Sequence, residues 1–91
     1  SDPWPEAAGS FAPGTDVTGR VTRLVDFGIF VELAPGIEGL VHISELANRR
    51  IIHPREVVNE DETISVRILD VDLDRRRISL SRRQAGDYEG D

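Results

Sequence analysis

Hydrophobic and polar residues alternate along most of the chain between residues 16 and 81, with the period of two that is typical of half-buried β-strands. The alternation divides into five runs separated by turn residues, which predict five strands. In the first run the phase slips at Leu24, which indicates a β-bulge near Thr22. The predicted strands are Asp16–Val25, Phe27–Leu33, Glu38–Ile43, Thr63–Asp72 and Arg77–Ser81.

The segment between the third and fourth runs has a different pattern. Ser44-Glu45-Leu46 predicts a single helical turn with Ser44 as its N-cap, and Pro54 predicts a second short turn that ends at Val57. Five short strands with a helical insertion after the third favour an all-β OB-fold, a five-stranded antiparallel barrel. Closing the barrel leaves so small a sheet without exposed edges.

Length and composition indicate one small domain of 91 residues. Residues 1–14 read as a linker or N-terminal arm, residues 15–83 as the barrel, and residues 84–91 as a flexible acidic tail. The chain has no cysteine and no apolar run near ~18 residues, so we expect a cytoplasmic protein without disulfides and without membrane contact. Because it does not begin with Met, we expect an excised part of a longer protein.

The net charge of −6 argues against a general polyanion binder. Its 11 basic residues are all arginine, and three of them, Arg75, Arg76 and Arg77, are consecutive. A local basic edge on an acidic body is compatible with RNA binding that involves little non-specific attraction.

Three rings in the second and third strands are the main candidates for function. Phe30 lies opposite Ile29 and Val31 in the strand pleat, so it is expected on the outer face. A bulge at Gly28 would turn Phe27 to the same face, and His42 is expected to point outward between inward residues. Exposed aromatic rings on a small barrel are stacking platforms for nucleobases. The alternatives are that a Phe packs beneath the arm and that His42 is an ordinary surface histidine.

The fifth strand adds charged candidates. Arg77 is expected to project outward near the first strand and to contact the sugar-phosphate backbone. Asp72 either accepts a hydrogen bond from a base or a ribose 2′-hydroxyl, orients Arg77, or only forms the turn. Arg75 and Arg76 lie on that turn, as secondary RNA contacts or as a solvated charge run.

The chain resembles the S1 RNA-binding domain family over about residues 15–83. The resemblance rests on Gly19-Arg20-Val21, Asp26-Phe27-Gly28-Ile29-Phe30-Val31, residues 36–44 (GIEGLVHIS), and Ile78-Ser79-Leu80-Ser81. It implies an OB-fold whose RNA face is lined by Phe27, Phe30, His42, Asp72 and Arg77. The turn before the fifth strand is one residue longer than in some members, which would let Arg76 take the arginine position, but the phase of Ile78 favours Arg77.

The lead-in Asp2-Pro3-Trp4, with Phe11 and Gly14, resembles the linker between S1 repeats of a bacterial ribosomal protein. This resemblance implies single-stranded RNA, especially mRNA, as the partner, with the small ribosomal subunit and neighbouring S1 repeats reached through the parent chain. One alternative is a repeat that docks on protein, through the segment Glu45–Asn59 or through exposed apolar residues of the linker. The other is an S1 domain of an RNA-processing enzyme such as polynucleotide phosphorylase.

The sequence contains no pattern that favours catalysis. It has two histidines and no glycine-rich phosphate loop, so we expect a module that is not an enzyme and needs no cofactor. Asp70, Asp72 and Asp74 alternate as metal ligands could, but the adjacent arginines can pair with them, so we expect no metal site.

Overall fold

The computed structural model describes residues 9–86 and residue 88. All five predicted strands are present, and the first, fourth and fifth have the predicted bounds. The second and third are each displaced by one residue. The strands are β1 (Asp16–Val25), β2 (Gly28–Ala34), β3 (Ile37–His42), β4 (Thr63–Asp72) and β5 (Arg77–Ser81). Of the predicted arm, Trp4 and the rest of residues 1–8 lie outside the described residues.

The strands form a closed barrel in the order β1-β2-β3-β5-β4, with β4 also paired to β1. The barrel is confirmed, but it is not wholly antiparallel as predicted, because β3 and β5 run parallel. That contact is short and consists of the pairs Leu40–Ser79 and Val41–Leu80. As a result, β5 lies between β3 and β4, and its first residues face the region of β2 and β3.

Alternation along the strands fills the barrel with branched aliphatic side chains, as predicted. The insertion between β3 and β4 adds Leu46, Ile51 and Val58 to the same core. Phe11, from the predicted arm, is half-buried against it. The strand residues of the core are Val21, Ile29, Val31, Ile37, Val41, Ile64, Val66, Ile68, Ile78 and Leu80.

Two irregularities bend the long strands. The pairing of β1 with β2 shifts between Val21 and Arg23, which confirms the bulge predicted near Thr22. The pairing of β4 with β5 shifts between Ile68 and Asp70. Each bulge adds a residue on one side of the ladder and increases the local twist that a small barrel requires.

The insertion contains two single 3₁₀ turns, Ile43–Glu45 and Pro54–Glu56. Ser44 was predicted as the N-cap of the first turn, but this is wrong: the cap is His42, whose ring accepts a hydrogen bond from the Ser44 amide. The turn begins one residue earlier than predicted, and an imidazole nitrogen takes the place of a hydroxyl oxygen. The second turn ends one residue before the predicted Val57, which is its C-cap.

The chain after β5 is held against the barrel by two carboxylates. Glu45 accepts hydrogen bonds from the Ser81 hydroxyl at 2.6 Å, from Arg83 Nε at 3.1 Å and from Gln84 Nε2 at 3.0 Å. Asp16 Oδ2 accepts from the Gly86 amide at 2.7 Å. The first residues of the predicted tail, as far as Gly86, therefore contact the barrel, and of the residues beyond Gly86 only Tyr88 is described.

These contacts lower the pKa of both carboxyl groups. The pKa of Asp16 is lowered first by the hydrogen bond from Arg67, whose Nε lies 2.8 Å from Oδ1, and then by the Gly86 amide. At Glu45, partial burial acts to raise the pKa, but the donors on Arg83, Ser81 and Gln84 together outweigh it, so the pKa lies below its ordinary value of 4.5.

Candidate nucleic-acid interface

Phe27 lies in a two-residue turn between β1 and β2. Val25 pairs with Gly28 in a regular register there, so the bulge predicted at Gly28 is wrong and the tight turn itself directs the Phe27 ring. Gly28 has a φ of +157°, and a Cβ at this position would collide with the carbonyl oxygen of Val41. The hairpin therefore requires glycine here so that β3 can approach closely.

The turn brings the two predicted phenylalanines together. Their ring centroids are 6.3 Å apart with an interplanar angle of 85°, an edge-to-face pair. Phe27 is 51% exposed, and Phe30 is partly buried. The guanidinium of Arg23, which follows the bulge in β1, lies over the Phe30 ring at 4.6 Å from its centroid. The sequence analysis did not identify Arg23.

An open groove of about 760 Å³ adjoins the two rings. Its floor crosses three strands, because Phe30 of β2 pairs with Leu40 of β3, which in turn pairs with Ser79 of β5. The groove is lined by Phe27, Phe30, Glu32, Gly36, Glu38, Gly39, Leu40, Arg76, Arg77, Ile78 and Ser79. Its lining combines the aromatic rings of β2 and the preceding turn with arginines at the start of β5 and with two carboxylates.

Arg77 is exposed at the start of β5 and lines this groove. The prediction that it lies near β1 is wrong, because β5 is inserted between β3 and β4. Among the residues that the structure describes, no carboxylate lies within ion-pair distance of its guanidinium. Arg76, with a φ of +54°, lines the groove beside it. The guanidinium of Arg77 is therefore placed opposite the rings of Phe27 and Phe30.

His42 lies at the margin of the groove, not in its lining. Its Cα is opposite Gly28, and the next amide, that of Ile43, donates to the Phe27 carbonyl at 2.8 Å. His42 Nδ1 accepts from the Ser44 amide at 3.2 Å and lies 2.9 Å from the Ser44 hydroxyl oxygen. Because a backbone N–H can only donate, this contact uses Nδ1 as the acceptor and leaves Nε2 as the nitrogen that can donate.

Asp72 and Arg75 form the turn that leads into β5. Asp72 pairs with Arg77 in the ladder, but its Oδ1 accepts from the Arg75 amide at 3.1 Å, and Oδ2 lies 3.9 Å from Arg75 Nε. Neither residue lines the groove. The structure therefore brings Phe27, Phe30, Arg76 and Arg77 together and places His42 beside them, while Asp72 has the geometry of a turn-forming aspartate.

The polar side chains on the groove floor were not among the residues predicted from the sequence. Glu32 and Glu38 pair directly across β2 and β3, on the same face as Phe30 and Leu40. Strand alternation could have predicted Glu38, because Leu40 and Glu38 lie two and four positions before His42 and therefore point outward with it. Glu32 Oε1 lies 3.5 Å from Arg20, and Glu38 Oε2 accepts from the Thr22 hydroxyl at 2.8 Å.

Two further observations concern the part of the chain that the structure describes. No helix there is long and apolar enough to cross a membrane. No three His, Cys, Asp or Glu side chains there are grouped as metal ligands.

A closed five-stranded barrel with aromatic rings and arginines on its second, third and fifth strands has the architecture of an oligonucleotide-binding OB-fold. The S1 RNA binding domain model matches residues 10–83, and the chain belongs to that family. This confirms the resemblance predicted from the motifs. Over 86 residues the chain is 52% identical to the small ribosomal subunit protein bS1 of Mycobacterium tuberculosis (strain H37Rv), covering 94% of this chain and 18% of that protein.

The bS1 homolog of Bacillus subtilis (strain 168) is 49% identical over 82 residues, covering 90% of this chain and 22% of that protein. The chain thus spans about a fifth of the length of these relatives. The solution structure of GSP13 from Bacillus subtilis superposes with a TM-score of 0.77 and 34% identity over 89% of this chain and 65% of that one.

Proposed function

We propose that this chain is a non-catalytic module that binds single-stranded RNA, stacking bases on Phe27 and Phe30 while Arg77 contacts the backbone. The observation that carries the proposal is the groove that joins the edge-to-face phenylalanine pair to an arginine without a carboxylate partner among the described residues. His42, at the margin, offers its Nε2–H to a phosphate or a base. Arg75 and Asp72 act indirectly by holding the turn that presents Arg76 and Arg77.

Base stacking is expected to contribute more to the free energy of RNA binding than the phosphate contact does. Each base–aromatic stack is worth ~1–3 kcal/mol and tolerates any base, while one phosphate contact adds a salt-dependent increment. An RNA duplex keeps its bases stacked on each other and offers none to the rings, so single strands bind preferentially.

The identity to bS1 supports a cellular role in mRNA binding and translation, as one repeat acting in the cytoplasm on the small ribosomal subunit. One groove of this size holds a few nucleotides, so a single module binds weakly. Linked repeats would gain affinity because each bound module raises the effective RNA concentration at the next.

Protein docking is the second candidate. It is supported by Ile52, which is 88% exposed in the insertion, and by the net charge of −6. A partner would contact the segment 45–59 on the insertion, and the groove would then be secondary.

The test is a chemical-shift titration with oligo-U, oligo-A and a short RNA duplex at low and moderate salt. We expect shifts at Phe27, Phe30, His42 and Arg77 with the single strands only. Phe30→Ala should weaken binding by roughly 5- to 100-fold, the loss of one stack, and leave the fold intact. Ile52→Ala removes an exposed apolar side chain elsewhere and serves as the control.

If no oligonucleotide shifts the groove residues at low salt, the RNA-binding proposal fails and docking through the insertion takes its place. If Phe30→Ala unfolds the domain, the ring is part of the core and not a platform.

A further inference from the structure

Among the described residues, one carboxylate on the groove floor has no cationic partner. Glu38 is exposed, and its contact is the Thr22 hydroxyl, 2.8 Å from Oε2. No arginine or histidine lies within ion-pair distance of it among residues 9–86 and Tyr88. Glu32, directly across the strand pair, differs because Arg20 lies 3.5 Å from its Oε1. Two like charges placed opposite each other destabilise a sheet, so this arrangement calls for an explanation.

The bulge in β1 orients Glu38. Because the register shifts at Thr22, the Thr22 side chain departs from the regular alternation of β1, and its hydroxyl reaches the carboxylate of Glu38 on β3. The Phe30 carbonyl is a second acceptor, at 3.2 Å, but the hydroxyl has one proton and Glu38 is closer. Glu38 thus lines the groove with Oε2 accepting one hydrogen bond, and among the described residues Oε1 has no hydrogen-bond donor.

The position suits the edge of a stacked base. Phe30 pairs with Leu40, so Glu38, two residues before Leu40 on β3, is the diagonal neighbour of Phe30. Diagonal neighbours in a sheet are roughly 7–8 Å apart. A base stacked on Phe30 reaches that far with its Watson–Crick edge. A phosphate would be repelled there, while Arg77, two residues before the Ser79 that pairs with Leu40, attracts it to the β5 side.

We propose that Glu38 reads base identity and selects guanine, with Thr22 as a positioning residue; this inference rests on the proposed RNA binding. An ionised carboxylate only accepts hydrogen bonds. Guanine alone among the four bases presents two adjacent N–H donors, N1–H and N2–H, on its Watson–Crick edge, and they match the two carboxylate oxygens. Uracil places carbonyls on both sides of its one N–H, and adenine and cytosine place an acceptor beside their amino group. The groove then prefers guanine over the other bases at one position.

The experiment uses a seven-nucleotide oligo-U and three analogues with guanine, inosine or adenine at the centre. Inosine lacks the N2 amino group and is otherwise guanine. We expect the wild-type chain to bind the guanine oligomer about 10-fold more tightly than the inosine oligomer, the discrimination typical of a bidentate contact. Glu38→Gln, which keeps the shape and the Thr22 contact but leaves one acceptor, should bring this ratio close to one and leave oligo-U affinity within about twofold.

Glu60→Gln removes the same charge outside the groove and should leave the ratio unchanged. The inference is overturned if the wild-type chain binds the guanine and inosine oligomers equally. It is also overturned if Glu38→Gln changes all four affinities by one factor, since Glu38 would then act through charge or through Arg77. In both cases oligo-U binding that is lost in Phe30→Ala would leave the proposed function standing. Absence of binding by every oligomer would overturn both.

Discussion

The guanidinium of Arg23 lies 4.6 Å from the centroid of Phe30 and covers one face of that ring. An exposed cation–π contact is worth ~0.5–1 kcal/mol, less than the ~1–3 kcal/mol of a base stack. If the proposed RNA binding places a base on that face of Phe30, the base would displace Arg23 from the ring, and the released guanidinium would stay close to the phosphates of the RNA.

Arg23→Ala should consequently weaken single-stranded RNA binding by about three- to tenfold at low salt. It should also reduce the slope of log K against log salt by about 0.7, the value for one phosphate contact on a single strand. Fluorescence anisotropy over a salt series measures both quantities. Arg55→Ala, the same charge change on the second 3₁₀ turn, should leave the slope unaltered. Tighter binding by Arg23→Ala would instead mean that this arginine obstructs the platform.

His42 has two separable roles that substitution can distinguish. Its Nδ1 caps the first 3₁₀ turn, and the residue is exposed on β3 opposite Gly28, which follows Phe27. Asn is an effective N-cap, so His42→Asn should retain the melting temperature within a few degrees while reducing RNA affinity. His42→Ala should reduce affinity similarly and also lose about 1 kcal/mol of unfolding free energy, or about 4–8 °C.

Thermal unfolding followed by circular dichroism, together with anisotropy titration of the same variants, separates these effects. Full RNA affinity in the Asn variant would restrict His42 to the capping role.

Gly28 should be the least tolerant glycine of the barrel hairpins. Gly28→Ala forces Cβ against the Val41 carbonyl at a positive φ, so we expect a loss of about 3 kcal/mol or more in the free energy of unfolding. Gly36 is the matched control: its φ is +78° but the space around it is open, so Gly36→Ala should cost only about 1 kcal/mol. Urea unfolding compares the two, and equal losses would mean that β3 can move away from the turn.

Local alternation was sufficient to predict the five strands, since each strand has one face in the core. It could not reveal that β5 pairs in parallel with β3, because that pairing joins residues far apart along the chain. Arg77 was wrongly predicted to lie near β1 because this pairing of β5 with β3 was not foreseen. Phe27 was placed on the correct side for the wrong reason, because the predicted bulge at Gly28 is a two-residue turn whose geometry depends on a close approach to Val41.

The polar half of the groove was harder to predict. Outward aromatic and cationic residues were predicted as candidates from the sequence, whereas Glu38 was not. Its significance depends on Thr22, which reaches it only because a bulge 16 positions earlier redirects a β1 side chain. The capping role of His42 was missed because Ser is the more usual capping residue.

Glu45 should make the stability of the domain depend on pH. Its folded pKa is below 4.5, so its contribution is fully present above that value and is lost as the pH falls through the lower folded pKa. Glu45→Gln should therefore cost about 1–2 kcal/mol at pH 7, from weakened hydrogen bonds to Arg83 and Ser81, and distinctly less near pH 3. Urea unfolding at the two pH values gives both differences, and a cost independent of pH would assign the loss to packing alone.

The hydrogen bond from the Gly86 amide to Asp16 places the segment that follows β5 beside the start of β1. Arg67 Nε braces the same carboxylate from β4. None of these three residues lines the groove on β2, β3 and the start of β5. The two ends of the barrel are thus fastened to each other on a part of the surface that is separate from the groove, so a change in this fastening need not alter the shape of the groove.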